Sequence, residues 1–322
     1  MILIGGLLTG GQVGLVVAII MAVFIITMLM TVLGVREEPL REKPEGSLRE
    51  PILRIVLLTI IFVVATRVGL WLVNNSATFL AGRGATVATQ VAVVGLAGLA
   101  AMAGSIFVGV YLGAQVGIGR DARQQRSFVW WVINRLLFLA AVGSIQGFAL
   151  YYLRDVLLLP DAERWTGILL AVVAVFLVAS ALGGGYLADR IGRRRLVMVS
   201  ALVAAAGTLF LLVARDMSLV LVGGSILGAG AGAFMATNWA LGTDLVPPQE
   251  AGRYLGISNL AGAGAGIVGA GIGGPMADFF NRLEPGLGYL VIFAIYGGLF
   301  LMSVLALTRV RVPALAPGGR PA

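Results

Sequence analysis

The chain has 322 residues, 59% of them hydrophobic and 12% charged, with a mean hydropathy of +0.99. A soluble domain carries about 25% charged residues, so this composition excludes an ordinary water-soluble globule and calls for lipid as the solvent. The net charge of +8 would suit nucleic acid if the basic residues made one face; they fall instead in short segments between apolar runs, and no nucleic-acid partner is expected.

In lipid every backbone polar group must be paired internally, and repeated runs of about 20 apolar residues meet that demand as helices. In chain order the spans are expected at 12–34, 53–79, 88–115, 128–152, 165–186, 197–214, 218–243, 254–276 and 287–308. A charged stretch that begins Arg36-Glu37-Glu38-Pro39 separates the first two, and Arg120, Arg123 and Arg126 follow the third. Residues 184–196, Gly-Gly-Tyr-Leu-Ala-Asp-Arg-Ile-Gly-Arg-Arg-Arg-Leu, join the fifth span to the sixth. With that segment placed in the cytoplasm and the spans alternating, sixteen of the 23 basic residues lie inside and five (Arg83, Arg154, Arg164, Arg215 and Arg282) outside. This bias orients the chain in a cell (inner) membrane with a cytoplasmic C-terminus.

Within 184–196, Gly185 and Gly192 permit a tight turn, Asp189 supplies a carboxylate, and Arg190, Arg193, Arg194 and Arg195 form a cationic cluster. The order Gly-x-x-x-Asp-Arg-x-Gly-Arg-Arg resembles the signature loop of the major facilitator superfamily, a large group of secondary transporters. The resemblance implies an all-α polytopic membrane protein in which this loop joins the second and third helices of a six-helix half. Residues 121–310 are then the C-terminal six-helix bundle, 1–35 the last helix of the N-terminal half, and 36–52 the cytoplasmic linker. Residues 53–120 become an inserted helix pair, similar to the fourteen-helix arrangement of some subfamilies, and 311–322 a cytoplasmic tail. On this reading the other helices of the N-terminal half are missing from the chain and are its required partner.

Three groups of residues are functional candidates. The first is a gate: Asp189 and Arg193 share a face with 243–254, where Pro247 and Pro248 end a helix and Asp244, Glu250 and Arg253 bracket the turn. By resemblance, such charges pair in one conformation and part in the other. The second is glycine, at 223–233 and again at 256–274 before Pro275, which gives helices smooth faces for close approach. The third is polar residues within spans: Asn134, Arg135, Ser144, Gln146, Asn238 and Asn259 as cavity candidates, with Arg67 read as structural. Trp130, Trp131 and Trp165 fit an interfacial aromatic belt.

The sequence has no cysteine and no histidine, which removes thiol chemistry, imidazole bases and the usual zinc or haem ligands; no cofactor is expected. All 15 acidic residues fall in loops or at span ends, so no central carboxylate is expected to carry a proton. Nothing pairs a nucleophile with a base, so an enzyme is not expected. The expected function is secondary transport of a small sugar-like or drug-like solute across the bilayer. The alternative is a truncated, non-transporting membrane remnant or scaffold.

Overall fold

The computed structural model describes residues 13–34, 49–119, 125–246 and 250–311. Among them are nine helices and no strand: α1 (Val13–Gly34), α2 (Arg49–Ala81), α3 (Val87–Ile118), α4 (Arg126–Asp155), α5 (Ala162–Ile191), α6 (Arg193–Phe210), α7 (Met217–Thr243), α8 (Ala251–Leu283) and α9 (Leu287–Thr308). Eight are long and apolar enough to cross a membrane. The exception is α6, whose first turn is Arg193, Arg194 and Arg195. The chain is an all-α, multi-pass membrane protein.

Most helices outrun their expected spans, because backbone pairing continues past the hydrocarbon into the polar boundary. Two consequences matter. α2 opens at Arg49, so the last residues of the expected linker are helical, while 36–48 lie outside the described residues. α8 runs to Leu283 and takes in Asp278, an exposed carboxylate that the shorter span had left in a loop. The expected tail is described only at Arg311.

The tightest packing is α7 against α5 and α6, and glycine makes it possible. A Cβ at Gly228 would lie 2.6 Å from the Val173 carbonyl oxygen of α5, and one at Gly232 would collide with the Leu177 carbonyl. On the other side a Cβ at Gly230 would lie 2.6 Å from the Ala204 nitrogen of α6. Backbones this close gain dispersion contacts along their whole length, which is the main source of helix association where lipid is as apolar as leucine.

α4 lies against α8 and α9 and closes the bundle through aromatic side chains. The buried Phe138 stacks on Phe234 of α7 with ring centroids 3.5 Å apart, and meets Phe300 of α9 edge-on at 4.8 Å. α2 and α3 pair with each other and lie on α8, with α3 also reaching α9. Here the glycines of α8 are used: the Phe62 ring of α2 is held between Gly264 of α8 and Gly109 of α3. Two surfaces stay apolar and open. Every described side chain of α1 is exposed, and α5 buries only the stripe Ala162, Leu169, Val173, Gly184 and Ala188.

Candidate functional site

The α5–α6 connection is shorter than a loop. α5 continues through Gly185, Asp189 and Arg190 to Ile191, and α6 starts at Arg193, so one residue, Gly192, makes the whole turn. Gly192 has φ +88° and ψ 137°, a conformation that costs an L side chain about 1–3 kcal/mol and that glycine adopts readily. The expectation that Gly185 also turns the chain is corrected: it sits inside α5 on an exposed face where a Cβ would meet nothing.

The short turn aims its arginines at two other helices. Arg193 donates from Nη1 to Asp244 Oδ1 at 2.6 Å and to the Ala240 carbonyl at 3.2 Å, gripping the C-terminal end of α7. Arg194 donates from Nε to the Leu307 carbonyl at 3.2 Å and from Nη2 to the Thr308 carbonyl at 3.0 Å. Those carbonyls close α9; Leu307 O also accepts from Val310 N–H at 3.1 Å, whereas Arg194 is the one donor to Thr308 O among the described residues. Cations at the start of α6 oppose its dipole; by reaching over to the ends of α7 and α9 they complement those dipoles instead. More than a third of each partner in the Arg193–Asp244 pair is exposed, so the pair is worth about 0–1 kcal/mol and can be broken easily.

The remaining candidates at this end differ. Arg190 is exposed and lies over the Tyr186 ring at 4.5 Å. Asp189 is exposed and has no hydrogen bond or ion pair among the described residues. Glu250 stands exposed at the start of α8, and the side chain of Arg253, one turn on, lies outside the described residues.

A second polar group lies inside the bundle. Asn134 of α4 donates from Nδ2 to the Ser303 carbonyl of α9 at 2.9 Å and accepts at 2.9 Å from Asn238 Nδ2 of α7. Trp131 donates from Nε1 to the Asn238 carbonyl at 3.0 Å. All three side chains are wholly buried. Asn134 and Asn238, expected to face a cavity, therefore face each other and tie α4, α7 and α9, which leaves Asn238 Oδ1 buried without a partner. Trp131, expected in the interfacial belt, is corrected on the same ground. Ser144 is also buried, against Gly269 of α8.

Arg135, Gln146 and Asn259 remain accessible, Arg135 half-buried and the other two exposed. The Arg135 guanidinium lies over the Trp239 ring at 4.6 Å and beside Trp131 at 5.8 Å. Its Nε is buried with no hydrogen-bond partner. Sequence reading missed Trp239, which lies on α7 and meets Arg135 only through the fold; the i, i+4 spacing on α4 points to Trp131 alone.

A bundle of apolar helices with charges gathered at its two ends, one of them stapled by an arginine turn, defines a polytopic helical membrane protein. The chain belongs to the Major Facilitator Superfamily, whose sequence profile matches residues 132–322. That family consists of transporters and not enzymes. The chain is similar to the multidrug resistance protein MdtH of Cronobacter sakazakii, 29% identical over 56% of this chain and 46% of that protein. It is similar to the glucose transporter GlcP of Staphylococcus epidermidis, 31% identical over 41% of this chain and 29% of that protein. The minor myo-inositol transporter IolF of Bacillus subtilis is 26% identical over 45% of this chain and 31% of its own length. The chain spans less than half the length of these relatives.

Proposed function

We propose that this protein is part of a secondary transporter that moves a small solute by alternating access, with α4–α9 as one of its two rocking bundles. The observation that carries this reading is the α5–α6 staple. Arg193 and Arg194 hold the ends of α7 and α9 through weak, partly exposed contacts, while Asp189 in the last turn of α5 is exposed and unbonded among the described residues. The staple moves with its own bundle and fixes the end of α5, so that Asp189 can pair with a group of the second bundle in one state and release it in the other, which is what a gate requires. The distribution of basic residues supports a cytoplasmic position for this end and for the C-terminus, in a cell membrane. The broad apolar face of α5 is the surface that suits a second bundle, the N-terminal half of the reading above.

The relatives suggest which solutes to try: glucose and myo-inositol from two of them, a drug from the third. The test is exchange of these solutes by proteoliposomes that hold the chain together with helices completing the second bundle. Asp189→Asn should slow exchange several-fold at an unchanged amount of protein in the membrane. Exchange indifferent to Asp189→Asn and to Arg193→Gln alike would remove the gate.

A further inference from the structure

We propose that Arg135 is a receptor for an oxyanion, a carboxylate or phosphate presented to the face between α4 and α7; this rests on the transport reading and names the chemistry of its solute. An arginine inside a membrane helix is costly unless something answers its charge, about 2.5–3.5 kcal/mol on insertion scales. Here no protein group does. Arg135 has no ion pair or hydrogen bond among the described residues, and its Nε is buried without an acceptor. The carboxylate nearest in sequence on the α7 side, Asp244, is committed to Arg193. The adjacent Asn134 is wholly buried, turned toward Ser303 and Asn238, and makes no bond to Arg135.

What Arg135 does have is two indoles. Rings with centroids 4.6 and 5.8 Å from the guanidinium carbon stabilise the cation. Stacking occupies the faces of a guanidinium and leaves its edge, where the paired N–H donors match the two oxygens of a carboxylate or phosphate. The position also fits. Arg135 lies nine residues into α4, about 14 Å from the start of the helix at Arg126. Leu139, Val142 and Gln146 follow it on the same side of α4, the first two half-buried and Gln146 exposed. That stripe offers a charge at one end, an apolar middle and an amide about 16 Å away.

The experiment uses the full chain in nanodiscs and reads tryptophan emission, since Trp131 and Trp239 flank the guanidinium. The probes are glucuronate against glucose, which differ at one carbon, and inorganic phosphate. Glucuronate or phosphate should half-saturate the emission change at a concentration at least about ten-fold below that of glucose, the worth of one charge-assisted contact. Arg135→Gln should abolish that preference, and Arg135→Lys, which keeps the charge and loses the fork, should retain part of it. Discs of phosphatidylcholine alone and discs with added phosphatidylglycerol separate the two sources of oxyanion. A response to the soluble probes that is the same in both assigns the site to the solute. An Arg135-dependent change on adding phosphatidylglycerol, with no response to soluble probes, assigns it to a lipid headgroup. No anion preference in either disc, or the same preference in Arg135→Gln, overturns the proposal. Saturable glucose binding with no anion preference would remove the Arg135 site and leave the transport reading standing.

Discussion

Gly232→Ala should destabilise the bundle far more than Gly185→Ala, although Gly185 belongs to the family signature and Gly232 does not. At Gly232 the added methyl would meet the Leu177 carbonyl and the Ser180 hydroxyl, both closer than any contact real side chains make. The Leu177 carbonyl is backbone and cannot rotate away, so α5 and α7 must part by roughly 1.5 Å to reach ordinary contact. A gap of 0.5–1 Å forfeits about a quarter to a half of each dispersion contact along the interface. The cost should be about 3 kcal/mol, the upper end of overpacking effects. At Gly185 the same methyl meets open space, and replacing a helical glycine by alanine should stabilise by up to about 1 kcal/mol. Thermal unfolding of both variants in the same detergent decides the matter. A Gly232→Ala variant that melts with or above the wild type would refute the close approach of α5 and α7.

Asn238→Ala removes the donor that Asn134 Oδ1 uses and should cost about 1–2 kcal/mol; a double-mutant cycle with Asn134→Ala should show the two effects to be non-additive. Arg194→Ala frees the Thr308 carbonyl and leaves Leu307 O to Val310 N–H alone, so hydrogen exchange should accelerate at Leu305–Thr308 and stay unchanged in α7. Asp189→Asn should leave the melting temperature where it is, because that exposed carboxylate has no bond to lose in this conformation.

Much of the architecture is legible in the sequence because lipid imposes one rule, a run of apolar residues long enough to cross, and the nine expected spans all correspond to helices. The limits of that rule explain what was not legible. Helix ends lie in the polar boundary, where hydropathy no longer separates helix from loop; hence the extension of α8 over Asp278 and of α5 through Gly185 to Ile191. Polar residues within spans are recognisable as unusual, but the sequence does not say which way they face. Asn134 and Arg135 are neighbours, and a rotation of 100° along the helix sends one into the core and the other to its edge. The glycines show the same limit. Their number announces close packing, and only the fold reveals that Gly228, Gly230 and Gly232 meet backbone while Gly256 and Gly266 meet nothing.

The central claim is that the arginine turn between α5 and α6 is the cytoplasmic gate of a transporter bundle. The chain has no native cysteine, so single cysteines can be placed at two exposed positions, Arg195 at the start of α6 and Asp161 just before α5. Labelling in intact cells with a membrane-impermeant maleimide, before and after permeabilisation, reads the side of each directly. The account predicts that position 195 reacts only after permeabilisation and that position 161 reacts before it. Reaction of position 195 in intact cells would contradict it.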